Sequence, residues 1–186
     1  MTKAQLTVLA GPTAVGKGTV VAALTKRYPT LNVSVSATTR DPRPGELNGV
    51  HYYFVSAQEF DAMIERGDML EWALVHGKNK YGTPRGPVDE ALAAGKPVLL
   101  EIDLAGARQV RTNRPDAQFI FLAPPSWEEL ESRLIGRGTE GPEEQARRLA
   151  TARVELEAAS EFAHVVINDD VERAVDELAL SLITIS

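Results

Sequence analysis

The sequence of 186 residues contains no cysteine. That absence removes disulfides, thiolate nucleophiles and cysteine metal sites from its chemistry, and it is compatible with a reducing compartment. No apolar run is long enough to span a bilayer, so no membrane partner is expected. The first residues, Met1-Thr-Lys-Ala-Gln, lack the charged-then-apolar layout of a secretory signal, which makes a cytoplasmic protein the expectation. Basic charge is in deficit, with 20 Lys and Arg against 26 Asp and Glu and a net charge of −6. This balance argues against general affinity for nucleic acid or anionic lipid. The chain also lacks internal repeats and low-complexity tracts. What is there is an ordinary globular composition, 44% hydrophobic and 25% charged, in a length that fits one domain with a sizeable core.

One stretch organises the rest. The apolar run Leu6-Thr-Val-Leu-Ala10 reads as a buried strand and Val20-Val-Ala-Ala-Leu24 as part of a helix. Between them lie Gly11, Pro12, Thr13, Ala14, Val15, Gly16, Lys17, Gly18 and Thr19. The spacing G-x-x-x-x-G-K between a strand and a helix start builds an anion site. Backbone N–H groups wrap the phosphates of a nucleotide, the helix N-terminus adds partial positive charge, and Lys17 reaches the outer phosphates as a mobile cation. The pattern departs in one respect. Gly18 stands where Ser or Thr would hold Mg²⁺ directly, so a metal held mainly through water is expected.

Downstream, Leu31-Asn-Val-Ser-Val35 reads as a short strand, and residues 36 to 54 are too polar and too interrupted by proline and glycine for a core element. Ser56-Ala-Gln-Glu59 is a capping box for a helix with Phe60, Met63 and Ile64 on one face, closed by Gly67. Glu71-Trp-Ala-Leu-Val75 reads as a strand, Lys78 to Thr83 as a turn, and Pro87 as the start of a helix that Gly95 ends. Val98 to Asp103 reads as a buried strand, with Glu101 and Asp103 on one side because side chains alternate. Gln118-Phe-Ile-Phe-Leu122 is another such strand. Ser126-Trp-Glu-Glu129 opens a helix with Leu130 and Leu134 inward, Gly136 to Gly141 reads as a hinge, and Pro142 starts a helix running past Arg147 and Arg148 toward Ala158. His164 to Asn168 reads as a strand, and Asp169 or Asp170 caps a last helix with Val171, Ala174, Val175, Leu178 and Leu182 inward.

This alternation implies an α/β fold, a parallel sheet with helices on both faces. Ligands of such sheets bind beyond the carboxyl ends of the strands, where the glycine loop and Asp103 both fall. Arg40, Arg43, Arg137, Arg147 and Arg148 sit in or beside glycine- and proline-rich segments. Guanidinium forks there suit the clamping of two phosphoryl groups toward each other.

A family resemblance is carried by Ser34-Val-Ser36-Ala-Thr-Thr-Arg40-Asp-Pro-Arg43-Pro-Gly-Glu-Leu-Asn-Gly-Val-His-Tyr52-Tyr-Phe, by Glu71-Trp-Ala, Tyr81-Gly-Thr83 and Glu101-Ile-Asp103, and by Gly136-Arg-Gly-Thr-Glu140 and Asn168-Asp. In this order, over nearly the whole chain, they resemble guanylate kinase. The resemblance implies the P-loop nucleoside monophosphate kinase fold, with a core of residues 1–34, 85–125 and 151–186, a GMP-binding insert at 35–84 and a lid at 126–150. It implies ATP and GMP as small-molecule substrates, ADP and GDP as products, Mg²⁺ as cofactor, and a monomer or small homo-oligomer.

By the same resemblance the loop residues Gly11 to Thr19 bind ATP, together with Arg137 and Asn168. Arg40, Arg43, Tyr52 and Tyr81 hold the GMP phosphate, while Ser36, Glu71 and Thr83 read guanine. A carboxylate suits that task, since guanine offers N1–H and N2–H₂ while adenine would meet it with a lone pair. Asp103 stands between GMP and the water shell of the metal, with Glu101 as the weaker candidate beside it. Arg137 and Arg148 reach the ATP phosphates and the moving phosphoryl group, Arg148 also lying on the GMP side. Lys17, Arg40, Arg137, Arg148 and Asp103 form the implied catalytic set. Thr13-Ala14 replaces the Ser-Gly common in the family's loop, which leaves the local loop shape open. Two alternatives remain, a non-catalytic binding module of the same fold and a kinase for another nucleoside monophosphate. Lys17, Arg137 and Arg148 oppose the first, and the Ser36, Glu71, Thr83 set opposes the second. His51, His76 and His164 show no metal spacing and receive no role.

Overall fold

A computed structural model describes residues 4–136 and 141–183. In chain order its elements begin with β1 (Leu6–Ala10), α1 (Lys17–Arg27), β2 (Asn32–Val33), β3 (Ala37–Thr38), β4 (Tyr53–Phe54), α2 (Ala57–Glu65), β5 (Met69–Val75) and β6 (Asn79–Pro84). They continue with α3 (Arg85–Ala93), β7 (Val98–Glu101), α4 (Leu104–Asn113), β8 (Gln118–Ala123), α5 (Trp127–Ile135), α6 (Pro142–Glu157), β9 (His164–Ile167) and α7 (Val171–Ile183). Five strands form a parallel sheet in the order β2-β7-β1-β8-β9.

Period-two alternation divides the apolar residues of this sheet between two cores. Leu9, Leu99, Ile120 and Leu122 face one side, against Val20 and Leu24 of α1, Leu130 and Leu134 of α5, and Val175 and Leu178 of α7. Val8, Leu100 and Phe121 face the other, against Val88 of α3 and Leu104 and Val110 of α4. With both faces covered, all five residues of β1 are buried, which explains an apolar run interrupted only by Thr7, whose hydroxyl donates to Gln118 Oε1.

Residues 37 to 84 build a second sheet in the order β4-β3-β6-β5. A small core of Ala37, Phe60 and Met69 fixes α2 to it. The Ser56 hydroxyl accepts the Glu59 N–H at 3.1 Å, as the capping box requires. This sheet is tied to the larger one through α4. Gln109 both accepts the Trp72 N–H at 3.0 Å and donates to the Trp72 carbonyl at 2.9 Å, and Asn113 donates to the Leu70 carbonyl at 2.8 Å. These bonds flank Glu71 on either side.

Three expectations are corrected. Of Lys78 to Thr83 only Lys78 belongs to a turn: the reversal spans His76 to Lys78, with positive φ at His76 and Gly77, and Asn79–Pro84 is a strand bonded to β3 and β5. Its polar residues pair because partners lie on both sides, a tertiary context that overrides local preference. The helix expected from Pro87 begins at Arg85, leaving the proline in the first turn where its missing N–H has no intrahelical partner to lose. The strand expected to reach Asp103 ends at Glu101. Asp103 instead caps α4, its carboxylate accepting the Gly106 N–H at 2.7 Å, so the two acids do not share a strand face. Helix α4 was not among the expected elements, although an N-cap aspartate and Leu104, Ala107 and Val110 at helical spacing mark it.

Candidate active site

The glycine loop leaves the carboxyl end of β1 and closes with Gly16 in the left-handed region at φ 97°, at the N-cap of α1. A Cβ at Gly16 would also lie 2.8 Å from Asn168 Nδ2, so conformation and space both demand glycine there. Ala14 adopts φ 68°, a left-handed position that an L-residue holds at a cost of roughly 1–2 kcal/mol. The Thr13-Ala14 replacement therefore keeps a tight loop at the expense of local strain.

Two side chains hold the loop from behind. Asn168, 4% exposed, donates from Nδ2 to the Val15 carbonyl at 2.8 Å, and Arg133 Nη1 reaches the same oxygen at 3.2 Å. Asn168→Ala removes the buried bond and is expected to lower stability by about 1–2 kcal/mol. Thermal unfolding checks this: an unchanged Tm would mean that Arg133 alone suffices to hold the loop. Ala14, Gly16, Thr19, Arg133, Asn168 and Asp169 border a cleft of about 300 Å³ beside the loop, wide enough for part of a nucleotide.

Lys17 folds back on its own loop, donating from Nζ to the Gly11 carbonyl at 2.7 Å. Burial lowers its pKa from the ordinary lysine value, opposed by the negative charges of Glu155, Glu101 and Asp103. The ammonium thus faces three carboxylates from within the chain.

The second cluster lies on the smaller sheet. Glu71 is 8% exposed, and Thr83, its register partner across β5 and β6, donates from Oγ1 to Glu71 Oε1 at 2.7 Å. Ala37 pairs with Gly82, and Ser36 lies half-buried one residue before that paired strand begins. Burial raises the Glu71 pKa above the ordinary glutamate value, with Asp103 adding to the rise and the Thr83 hydrogen bond opposing it. A Cβ on Gly106 would lie 3.0 Å from Glu71 Oε2 and 3.2 Å from Asp103 Oδ1, so glycine gives α4 a close approach to both acids that a larger residue would have to push back.

Arg40, Tyr52 and Tyr81 form a third group. The Arg40 guanidinium lies 5.4 Å from the Tyr52 ring centre, and the two tyrosine rings meet edge-on at 5.9 Å. Glu46 anchors this group, accepting from Arg40 Nη2 at 2.9 Å and from the Arg43 backbone N–H at 2.7 Å. Those hydrogen bonds hold its carboxyl pKa down at about 2. The Arg43 side chain is exposed at the rim.

Asp103 joins the halves, since its charge acts on both Lys17 and Glu71. Arg148 is half-buried on α6, Arg147 is exposed and paired with Glu144, and Arg137 lies outside the described residues. Among the described residues no group of three potential ligands could hold a metal on its own. What the chain offers is Asp103, one oxygen of which is committed to Gly106, and Glu101, whose Oε1 lies 3.6 Å from where a Gly18 Cβ would stand. Two carboxylates beside a phosphate loop fit Mg²⁺, which keeps most of its waters and takes few protein ligands.

Sequence reasoning passed over Arg133, Glu46, Gly106 and Glu155. Arg133 stands four residues after Glu129 and pairs with it, which looks like a helix-surface ion pair. Glu46 lay inside the polar insert motif without a role. Gly106 and Glu155 have no local signal, because their partners are remote in sequence.

A parallel sheet with a lysine-bearing glycine loop at β1 and a buried carboxylate on a separate small sheet define a P-loop nucleoside monophosphate kinase. The family profile described as guanylate kinase matches residues 3–184. The guanylate kinase of Nocardia farcinica is 60% identical over 177 residues, covering 95% of this chain and 92% of that protein. That of Frankia casuarinae is 58% identical over 178 residues, covering 96% of each. Among solved structures, guanylate kinase from Anaplasma phagocytophilum matches with a TM-score of 0.75 and 30% identity, covering 99% of this chain and 87% of that one. The chain belongs to the guanylate kinase family.

Proposed function

We propose that the protein transfers the γ-phosphoryl group of ATP to GMP, giving ADP and GDP. An oxygen of the GMP phosphate attacks the γ-phosphorus, the bond to the β–γ bridging oxygen breaks, and the electron pair leaves with ADP. No general base is needed, because the attacking oxygen already carries charge; positioning and charge neutralisation do the work. The observation that carries the reading is the buried Glu71–Thr83 pair, an acceptor beside a hydroxyl, held near Asp103 on the way to Lys17.

In this reading the loop and Lys17 bind the ATP phosphates, with Asn168 and Arg133 supporting the loop. Arg40, Arg43, Tyr52 and Tyr81 hold the GMP phosphate, and Ser36, Glu71 and Thr83 recognise its base. Arg137 and Arg148 approach the moving group from a lid of residues 126–150, while residues 35–84 act as the GMP-binding insert of the remaining core. Asp103 and Glu101 would hold Mg²⁺ largely through water, and the ion would neutralise phosphate charge when bound. The absence of cysteine supports a cytoplasmic setting.

The test is a coupled assay of ADP formation across GMP, AMP, CMP and UMP. GMP is expected to lead by about 10³-fold or more in kcat/KM, since a site built to bond N1–H and N2–H₂ leaves its own groups unpaired with other bases. A comparable rate with AMP would sink the guanine assignment, and no turnover with any acceptor would sink the enzyme.

A further inference from the structure

One contact of the phosphate loop is made by a residue that neither the activity nor the loop motif calls for. The Thr13 N–H donates to Glu155 Oε2 at 3.0 Å, across 142 residues of sequence. Glu155 is half-buried near the end of α6, three residues beyond the fully buried Ala152 and seven beyond Arg148, so the three share one helix face. Glu155 is also first among the acids whose charge offsets the burial of Lys17. A carboxylate from within the chain therefore holds a backbone donor of the loop and faces its lysine.

As a permanent brace this arrangement would work against the loop. ATP brings several negative charges to the same N–H groups and the same ammonium, and a fixed carboxylate there repels them. Contact with Glu155 and occupancy by phosphate are thus competing states, and the first lowers apparent affinity by the fraction of molecules it closes.

We propose that Glu155 is an internal stand-in for the phosphates of the donor nucleotide, occupying the loop while it is empty and leaving when ATP arrives. Arg148 lies seven residues earlier on the same face of the same helix, so α6 turns both an acid and an arginine toward the loop side. The inference rests on the reading of the loop as the ATP site.

Calorimetric titration with ATP and Mg²⁺, and separately with GMP, tests it on the wild type, Glu155→Gln and Glu155→Asp. Glu155→Gln keeps the shape but removes the competing charge. It is expected to bind ATP about tenfold more tightly at low ionic strength, with the gain shrinking toward none at high salt and GMP affinity unchanged. Glu155→Asp, its carboxylate drawn back by one methylene, is expected to fall between; it carries the test if thermal melting finds the glutamine variant unfolded. Unchanged or weaker ATP binding by the folded variants, with normal ATP binding by the wild type, would overturn the stand-in and leave the donor loop in place. A wild type that binds GMP but no ATP would instead remove the donor-loop reading itself.

Discussion

Lys17→Ala is expected to lower kcat by about 10²–10³-fold while GMP binding measured alone stays within about twofold of the wild type. Both halves of this expectation come from where the lysine sits. Its ammonium lies on the Gly11 carbonyl inside the loop and faces Glu155, Glu101 and Asp103. Removing it takes away the cation proposed to meet charge developing on the transferred group, and it leaves three carboxylates uncompensated at the proposed ATP site. ATP affinity is therefore expected to fall along with turnover. Glu71, Thr83, Arg40 and Tyr52 lie on the smaller sheet and its connecting segment, where Glu71 bonds to Thr83 and Arg40 to Glu46 rather than to the lysine. Lys17→Arg, which restores charge with a bulkier planar group, is expected to recover ATP binding more than turnover, because Lys serves as a compact point charge. Lost GMP binding with intact turnover would assign the loop to the wrong substrate.

The parts of this architecture that could be read from sequence are those whose causes are local. The β1 run, the loop spacing, the capping boxes at Ser56 and Ser126 and the aspartate cap of α7 each fall within a few residues, and each takes the expected form. The alternation of strands and helices likewise pointed to the parallel sheet. What stayed hidden depends on partners far along the chain. Strand β6 is polar and holds Gly82, and it is a strand because β3 and β5 flank it. Asp103 ended an apolar run and looked like its last residue, yet it caps a helix whose apolar stripe, Leu104, Ala107 and Val110, was passed over beside that run. That helix decides the geometry of the site. Gln109 and Asn113 clasp the backbone around Glu71, and Gly106 leaves the room its carboxylate needs. Glu155 was invisible for the same reason, since an acid on a charged helix says nothing about a loop 142 residues away.

The sharpest test of acceptor choice is Glu71→Gln. The substitution keeps size, and Thr83 can still donate to the remaining side-chain oxygen, so the fold is expected to persist. Burial raises the Glu71 pKa, which means folding favours the neutral acid and the ionised form costs stability above the unfolded-state pKa. Glutamine carries no such cost, so stability at pH 7 is expected to be equal or higher, and the variant loses the wild type's gain in stability as pH falls through the raised pKa. Binding moves the other way. The amide turns one acceptor into an N–H₂ donor facing guanine's own donors, and the hydrogen bonds it abolishes are charge-assisted ones. kcat/KM for GMP is expected to fall by about 2–4 kcal/mol of transition-state binding, since guanine's donors are left buried and unpaired. AMP, whose N1 lone pair no longer meets a carboxylate, is expected to stay level or improve slightly. The pH profile adds a second signature. In the proposed site guanine needs the ionised acid, so the wild type's kcat/KM for GMP is expected to decline as pH drops toward a value above the ordinary glutamate range, and that component is expected to vanish in Glu71→Gln. Equal losses for GMP and AMP with an unchanged pH profile would mean that Glu71 supports the sheet and that guanine is read elsewhere.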